Sequence, residues 1–256
     1  MSDLLDWERP HYMADGGRPL LFYVIYGEID PTAPLSRNIY HTNGLPDGID
    51  LFYYAPDKHP EVPGSFRQDY PWEVFVDEHP ELAERVRRCD QCMILRGSPA
   101  DDTSLNYLRD CLGLLAYLLD QGGLAIYDPL TIHWWDPETW RQQLSPVSYD
   151  GARHHTVILA SEEPDDDSLT WFHTRGMRKF GRPDISIQRV PAVWREGAID
   201  LCQRLIEYQA LGHVLSDGEE IRMASLPAGT VVQLAGHLDD PDFNNVHLEV
   251  VLPETD

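Results

Sequence analysis

The sequence predicts an α+β fold, mostly antiparallel sheet of about ten strands with two long packed helices and several short ones. Three observations carry that prediction. Apolar runs of strand length recur along the whole chain, two longer segments repeat apolar residues at helical spacing, and the elements lack the regular strand-helix alternation of a parallel α/β sheet.

In chain order, "PLLFYVIY" (19–26), "DLFYYA" (50–55), "WEVFV" (72–76), "CMILRG" (92–97) and "GGLAIYD" (122–128) have strand length and are mostly bounded by Pro, Gly or Asp. The second half adds "HTVILAS" (155–161), "LTWFHT" (169–174), "DISIQRV" (184–190), "EIRMA" (220–224), "TVVQLAGHL" (230–238) and "VHLEVVL" (246–252). One long helix is predicted in "TSLNYLRDCLGLLAYLLDQGG", where Leu105, Leu108, Leu112, Leu115 and Leu119 recur at spacings of three and four and Gly122 ends the run. The other lies in "PAVWREGAIDLCQRLIEYQALG", with Pro191 in its first turn, Val193, Gly197, Leu201, Leu205 and Tyr208 on one face, and Gly212 as its stop. Shorter helices are expected at 80–88 and at 136–144, where Asp136 can cap and Pro137 occupies the first helical position. The polar stretch "LSPVSYDGARH" (144–154) is the expected joint between an N-terminal half, 1–148, and a C-terminal half, 149–256. The two halves share one sheet or hold separate ones.

Composition narrows the function. The chain has 256 residues, 42% of them hydrophobic, enough for a sizeable core. With 20 basic residues against 43 acidic ones, its net charge of −23 repels nucleic acid and anionic lipid, so neither is an expected partner. The same field speeds encounter with a basic protein; net negative charge also keeps a protein soluble without any partner. The N-terminal residues lack the basic flank and apolar run of an export signal, and no stretch of about 18 apolar residues occurs, so a soluble cytoplasmic protein is expected. Cys89, Cys92, Cys111 and Cys202 are too few and scattered for a disulfide framework.

No phosphate loop, GxSxG elbow or HExxH motif is present, so catalysis is not expected and no cofactor is implied. The pair Cys89 and Cys92 forms a CxxC, but it precedes a strand and lacks the second cysteine pair of a zinc site. The stretch "HLDDPDFNNVHLE" (237–249) copies the start of a calcium loop at Asp240, Asp242 and Asn244. Asn245 then replaces the turn glycine and Val251 the closing glutamate, so a hairpin turn is preferred and no metal is expected.

Against the acidic background, "HTRGMRKFGRPDISI" (173–187) places Arg175, Arg178, Lys179 and Arg182 within eight positions. One reading is a brace, paired across a hairpin with Glu162, Glu163, Asp165, Asp166 and Asp167 of "SEEPDDDS". The other is an anion pocket of His173, Arg175, Arg178 and Arg182, with Gly176 and Gly181 permitting close backbone approach.

This stretch, together with "GGLAIYDPLTIHWWDPETW", resembles a family of bacterial proteins of unassigned biochemistry that share an HT-x-G-M segment, an FG-x-P-D turn and a Gly-Gly strand before an aromatic-rich helix start. The match spans roughly residues 104–190. Some acidic proteins of this general look are immunity partners of toxins delivered by bacterial secretion systems, type VI systems among them. The resemblance thus implies an immunity protein that neutralises a cognate basic toxin such as a nuclease. The docking residues expected on that reading are Trp134, Trp135 and Trp140 as aromatic anchors, with Glu162, Glu163, Asp165, Asp166, Asp167, Asp239, Asp240 and Asp242 as an acidic rim. Core packing is the competing reading of the tryptophans. An enzyme or small-ligand protein using the His/Arg pocket is the alternative function.

Overall fold

The computed structural model describes residues 4–14, 16–30, 32–144, 147, 149 and 151–253. Within them the chain is α+β, with two five-stranded sheets and seven α-helices. It divides into two compact units: unit 1 holds residues 1–8, 20–100 and 104–150, and unit 2 holds 9–19, 101–103 and 151–256. Two short segments of the N-terminal half, 9–19 and 101–103, therefore belong to unit 2. The joint at 144–154 includes positions 145, 146, 148 and 150, which lie outside the described residues.

In unit 1 the strands β1 (Leu21–Gly27), β2 (Ile49–Tyr54), β3 (Cys92–Gly97), β4 (Gly123–Asp128) and β5 (His133–Trp135) are ordered β2-β3-β1-β4-β5, all antiparallel. The central strand β1 is apolar throughout because both its faces are covered. Val24 and Tyr26 pack with Trp72 and Phe75 of α3 (Asp69–Glu78) and with Ala83 and Val86 of α4 (Pro80–Arg88). Tyr23 and Ile25 alternate onto the other face, where Tyr23 meets Trp140 of α6 (Pro137–Gln143) edge to face and α5 (Asn106–Asp120) packs against β1 and β4. Two one-turn helices, α1 (Arg37–Tyr40) and α2 (Val62–Ser65), complete the unit.

The strand expected at 72–76 is instead part of α3. Its two buried side chains, Trp72 and Phe75, are three apart, and a run of five residues is too short to separate a period of 2 from one of 3.6. Helix α6 starts as its sequence requires: Asp136 Oδ1 accepts from the backbone nitrogens of Glu138 and Thr139 at 2.9 and 3.1 Å.

In unit 2, β6 (Val157–Glu163), β7 (Asp166–Arg175), β8 (Asp184–Pro191), β9 (Val231–Gly236) and β10 (Val246–Val251) are ordered β6-β7-β8-β10-β9. Every pair is antiparallel except β8 with β10. One face buries Phe172, Ile185, Ile187 and Leu248 on the side where α7 (Arg195–Ala210) contributes Ala198, Leu201, Cys202, Leu205 and Ile206. Strand alternation puts Trp171, His173 and Arg175, Asp184 and Ser186, and His247 and Glu249 on the opposite, polar face. The strand expected at 220–224 is reduced to one isolated bridge, Glu220 to Val231. Among the described residues no helix is long and apolar enough to cross a membrane.

Candidate functional site

The basic cluster lies where β7 ends. Gly176 and Gly181, both in the left-handed region at φ 106° and 65°, bracket a 3₁₀ turn over Met177–Phe180, and this turn scatters the cations rather than converging them. Arg175 donates to the carbonyl of Asp242, and Arg178 donates to those of Asn244 at 2.6 Å and Leu238 at 3.3 Å. Both thus hold the loop 237–245 that joins β9 to β10. Buried Lys179 donates to the carbonyl of His155 at 2.8 Å. Arg182 is 2% exposed and donates to Asp101 Oδ2 at 3.0 Å and to the carbonyls of Met13, Gly181, Gly212 and His213.

Asp101 is shared. Its Oδ1 accepts from Arg9 at 2.5 Å, and the buried Arg9 also donates to the carbonyls of Asp102, Phe180 and Ala210. One carboxylate therefore joins two buried guanidiniums, each further saturated by carbonyls, which is how a protein tolerates buried charge. The space is close: a Cβ on Gly16 would collide with the Arg182 guanidinium, and one on Gly181 with the carbonyl of Gly17. The close approach permitted by Gly181 thus serves the chain itself.

The expected anion pocket is corrected by this geometry: Arg175 lies near His173, but it donates to the carbonyl of Asp242, while Arg178 and Arg182 donate to the protein's own oxygens elsewhere, so the three do not converge on one anion site. The brace is real, but its partners differ from those expected. In the β6–β7 hairpin Val157 pairs with Arg175 and Glu163 with Asp166, so the acids at 162–167 sit at the tip, about 20 Å along β6 from the level of Arg175 at roughly 3.3 Å per residue.

On the polar face, four rings form an array. Trp171 stacks on His173 with centroids 4.2 Å apart, Phe243 meets His173 edge to face at 5.6 Å, and His247 stacks on Phe243 at 4.2 Å. Burial, followed by the nearby Arg175 charge, lowers His173 to about 4, and burial also lowers His247, so both imidazoles are neutral at pH 7. Trp171 Nε1 donates to Ser186 Oγ at 3.1 Å, and Ser186 in turn bonds Glu249, whose carboxyl is raised chiefly by burial. Asp184 is pushed up to about 6 by complete burial, opposed by hydrogen bonds from Asn245, Met177 and Thr174. Ser186 is itself fully buried, so the array orders the face without presenting a nucleophile.

The acids expected as a rim fall into two groups. Glu162, Glu163, Asp165, Asp166 and Asp167 form the hairpin tip, where Asp165 pairs with Arg189 at 2.9 Å, Glu163 accepts from the Arg189 backbone nitrogen at 2.6 Å, and Asp166 bonds Ser168. Asp239, Asp240 and Asp242 lie in the 237–245 loop at the opposite end of the sheet, so one compact rim does not form. That loop is the hairpin turn its composition predicts: Asp240 Oδ1 accepts from the Asp242 nitrogen at 3.0 Å and Asn244 stands at φ 52°.

Trp134, Trp135 and Trp140 are 5%, 9% and 1% exposed and pack inside unit 1, Trp134 stacked against Phe75 and Tyr127. Core packing, not anchoring, is their role. Cys92 of the CxxC is buried, its thiol pushed up to about 12 by burial and by Cys89. Among the described residues no group of three or more His, Cys, Asp or Glu side chains is placed to hold a metal. Sequence reading missed Arg9, Asp101, Trp171 and Phe243. His247 and Glu249 did carry a signal, an alternating pair in a strand that shares one face.

The fold and this face define the chain as an α+β protein whose second sheet pairs a braced, aromatic-capped end with an exposed acidic one. Searches against family models, curated proteins and solved structures returned no match to it.

Proposed function

We infer that the chain is a cytoplasmic binding protein that neutralises a cognate basic toxin, such as a nuclease, in the manner of an immunity protein. The observation that carries this reading is the unequal placement of charge. Among the described residues five basic side chains are buried, Arg9, Arg109, Arg175, Lys179 and Arg182, against three acids, Asp110, Asp128 and Asp184, although the chain holds 20 basic and 43 acidic residues. The surface is therefore more acidic than the composition alone implies, and a basic protein approaching it is steered. The β6–β7 tip is the docking element, because it sets five acids at 162–167 against the single cation Arg189. The tryptophans once expected as anchors are withdrawn from this role by their burial.

The test is affinity capture from lysate of the source organism at low and high salt, followed by expression of any retained basic protein with and without this chain. One salt-sensitive basic protein that arrests growth alone, and not in co-expression, is the expected result. Capture that is unchanged after Glu162, Glu163, Asp165 and Asp167 are reversed to lysine removes the hairpin from the docking surface. Failure to relieve toxicity overturns the immunity reading.

A further inference from the structure

Strands β8 and β10 run parallel for three pairs, Asp184 to Ser186 against His247 to Glu249, and then part. The cause is a bulge. Thr170 pairs with Val190 but Phe172 with Ile187, so Gln188 and Arg189 together face the single residue Trp171, and Arg189 takes φ 55°. An extra residue bends its strand and ends pairing with the neighbour. A left-handed non-glycine residue is a strained position that the surroundings must hold, here through Glu163 and Asp165.

Between the parted strands lies a cleft of about 440 Å³, within the size range of ligand sites. Its apolar lining includes Leu169, Pro191, Trp194, Val251 and Leu252, and its one acidic wall group is Glu249. That carboxylate is half-buried, held by Ser186, with His247 Nε2 at 3.7 Å. Glu163, on the adjoining hairpin tip, is close enough to repel it. Arg189 also lines the cleft, but its guanidinium is engaged by both oxygens of Asp165 at 2.9 and 3.1 Å. Two acids that repel each other beside an apolar wall, with the one nearby cation paired elsewhere, match a positive charge carried on an apolar stem.

We propose that this cleft receives an arginine or lysine side chain of the basic partner together with the apolar residue beside it, Glu249 taking the charge and Trp194 and Pro191 the stem. The inference rests on the binding function above and identifies which part of the partner is read.

The probe is a pair of blocked dipeptides, acetyl-Phe-Arg-amide and its neutral isostere acetyl-Phe-citrulline-amide. The readout is the Trp194 indole resonance, assigned by Trp194→Phe. The arginine dipeptide is expected to shift that resonance and to bind about tenfold more tightly than the citrulline one, because only it forms a charge-assisted hydrogen bond. Glu249→Gln abolishes the difference with the fold intact by circular dichroism, and Val251→Arg, which supplies the cleft with the chain's own cation, abolishes binding. Equal binding of the two dipeptides, no shift at Trp194, or discrimination retained in Glu249→Gln overturns the inference. A neutralised toxin with no dipeptide effect at Trp194 overturns the cleft and leaves the immunity reading standing. Dipeptide discrimination without any basic partner supports the cleft and overturns that reading instead.

Discussion

The two ends of the second sheet carry charge to opposite purposes. At one end Arg175 and Arg178 fasten the 237–245 loop, while the neighbouring Lys179 and Arg182 are buried against carbonyls and Asp101. At the other end the acids of 162–167 crowd a two-residue turn at Pro164 and Asp165. A cation cluster in sequence has become interior structure, and an acid cluster has become surface. What separates them is what each can find. A guanidinium has five donors and satisfies them on backbone carbonyls wherever the chain folds tightly. At the hairpin tip the donors that Glu163, Asp165 and Asp166 find, on Arg189 and Ser168, are themselves exposed, so these carboxylates remain in water.

The largest effect that would break this contrast is expected at Asp101. Asp101→Asn removes the carboxylate that, among the described residues, pairs with both Arg9 and Arg182, two buried guanidiniums. A loss of about 3–5 kcal/mol in unfolding free energy is expected, as for other buried ion pairs broken on one side. Urea denaturation measures it. A loss below about 1 kcal/mol would place Asp101 with the weak surface pairs and erase the difference between the two ends.

Much of this contrast was legible in the sequence, though not its partners. The hairpin formed by 155–161 and 169–174, the turn at 237–245 and the capped start of α6 follow from alternation, Asp/Asn/Pro chemistry and an Asp-Pro pair, all local causes. The identity of the brace was not readable, because Arg9 and Asp101 lie 173 and 81 positions from Arg182 and neither sits in a motif. Burial of Trp134 and Trp140 was likewise open, since an aromatic cluster reads the same as core or as anchor until the helices that cover it are placed. The bulge at Gln188 and Arg189 left no mark, as neither residue is a glycine.

A second, smaller effect sharpens the comparison through pH. His173 is depressed in the folded state to about 4, so the unfolded chain takes up the proton first and stability falls as pH drops from about 6.5 toward 4. His155, lowered well below its ordinary value by burial and by Lys179, acts in the same direction. Asp184, raised to about 6, acts the other way: the folded state binds its proton first, and stability is gained as pH falls from about 6 toward 3.8. Asp184→Asn removes that gain. Between pH 7 and 4.5 the variant is expected to lose about 2 kcal/mol more than the parent protein, read from urea midpoints at the two pH values. Identical slopes would mean that Asp184 does not take up a proton in this range.

The smallest effect belongs to the acidic end and separates surface from structure most cleanly. Arg189 is half exposed and pairs with the exposed Asp165, so truncating it to alanine is expected to cost no more than about 1 kcal/mol. Its positive φ persists in the variant, because the Glu163 carboxylate accepts from the backbone nitrogen and not from the side chain. Loss of the guanidinium does free Asp165, making the tip more negative. Arg189→Ala is therefore expected to speed association with a basic partner and steepen its salt dependence while leaving the melting temperature nearly unchanged. Stopped-flow association at two ionic strengths reads the first effect and thermal unfolding the second. A variant that melts far lower would make Arg189 a brace like Arg182, and the two ends of the sheet would then be alike.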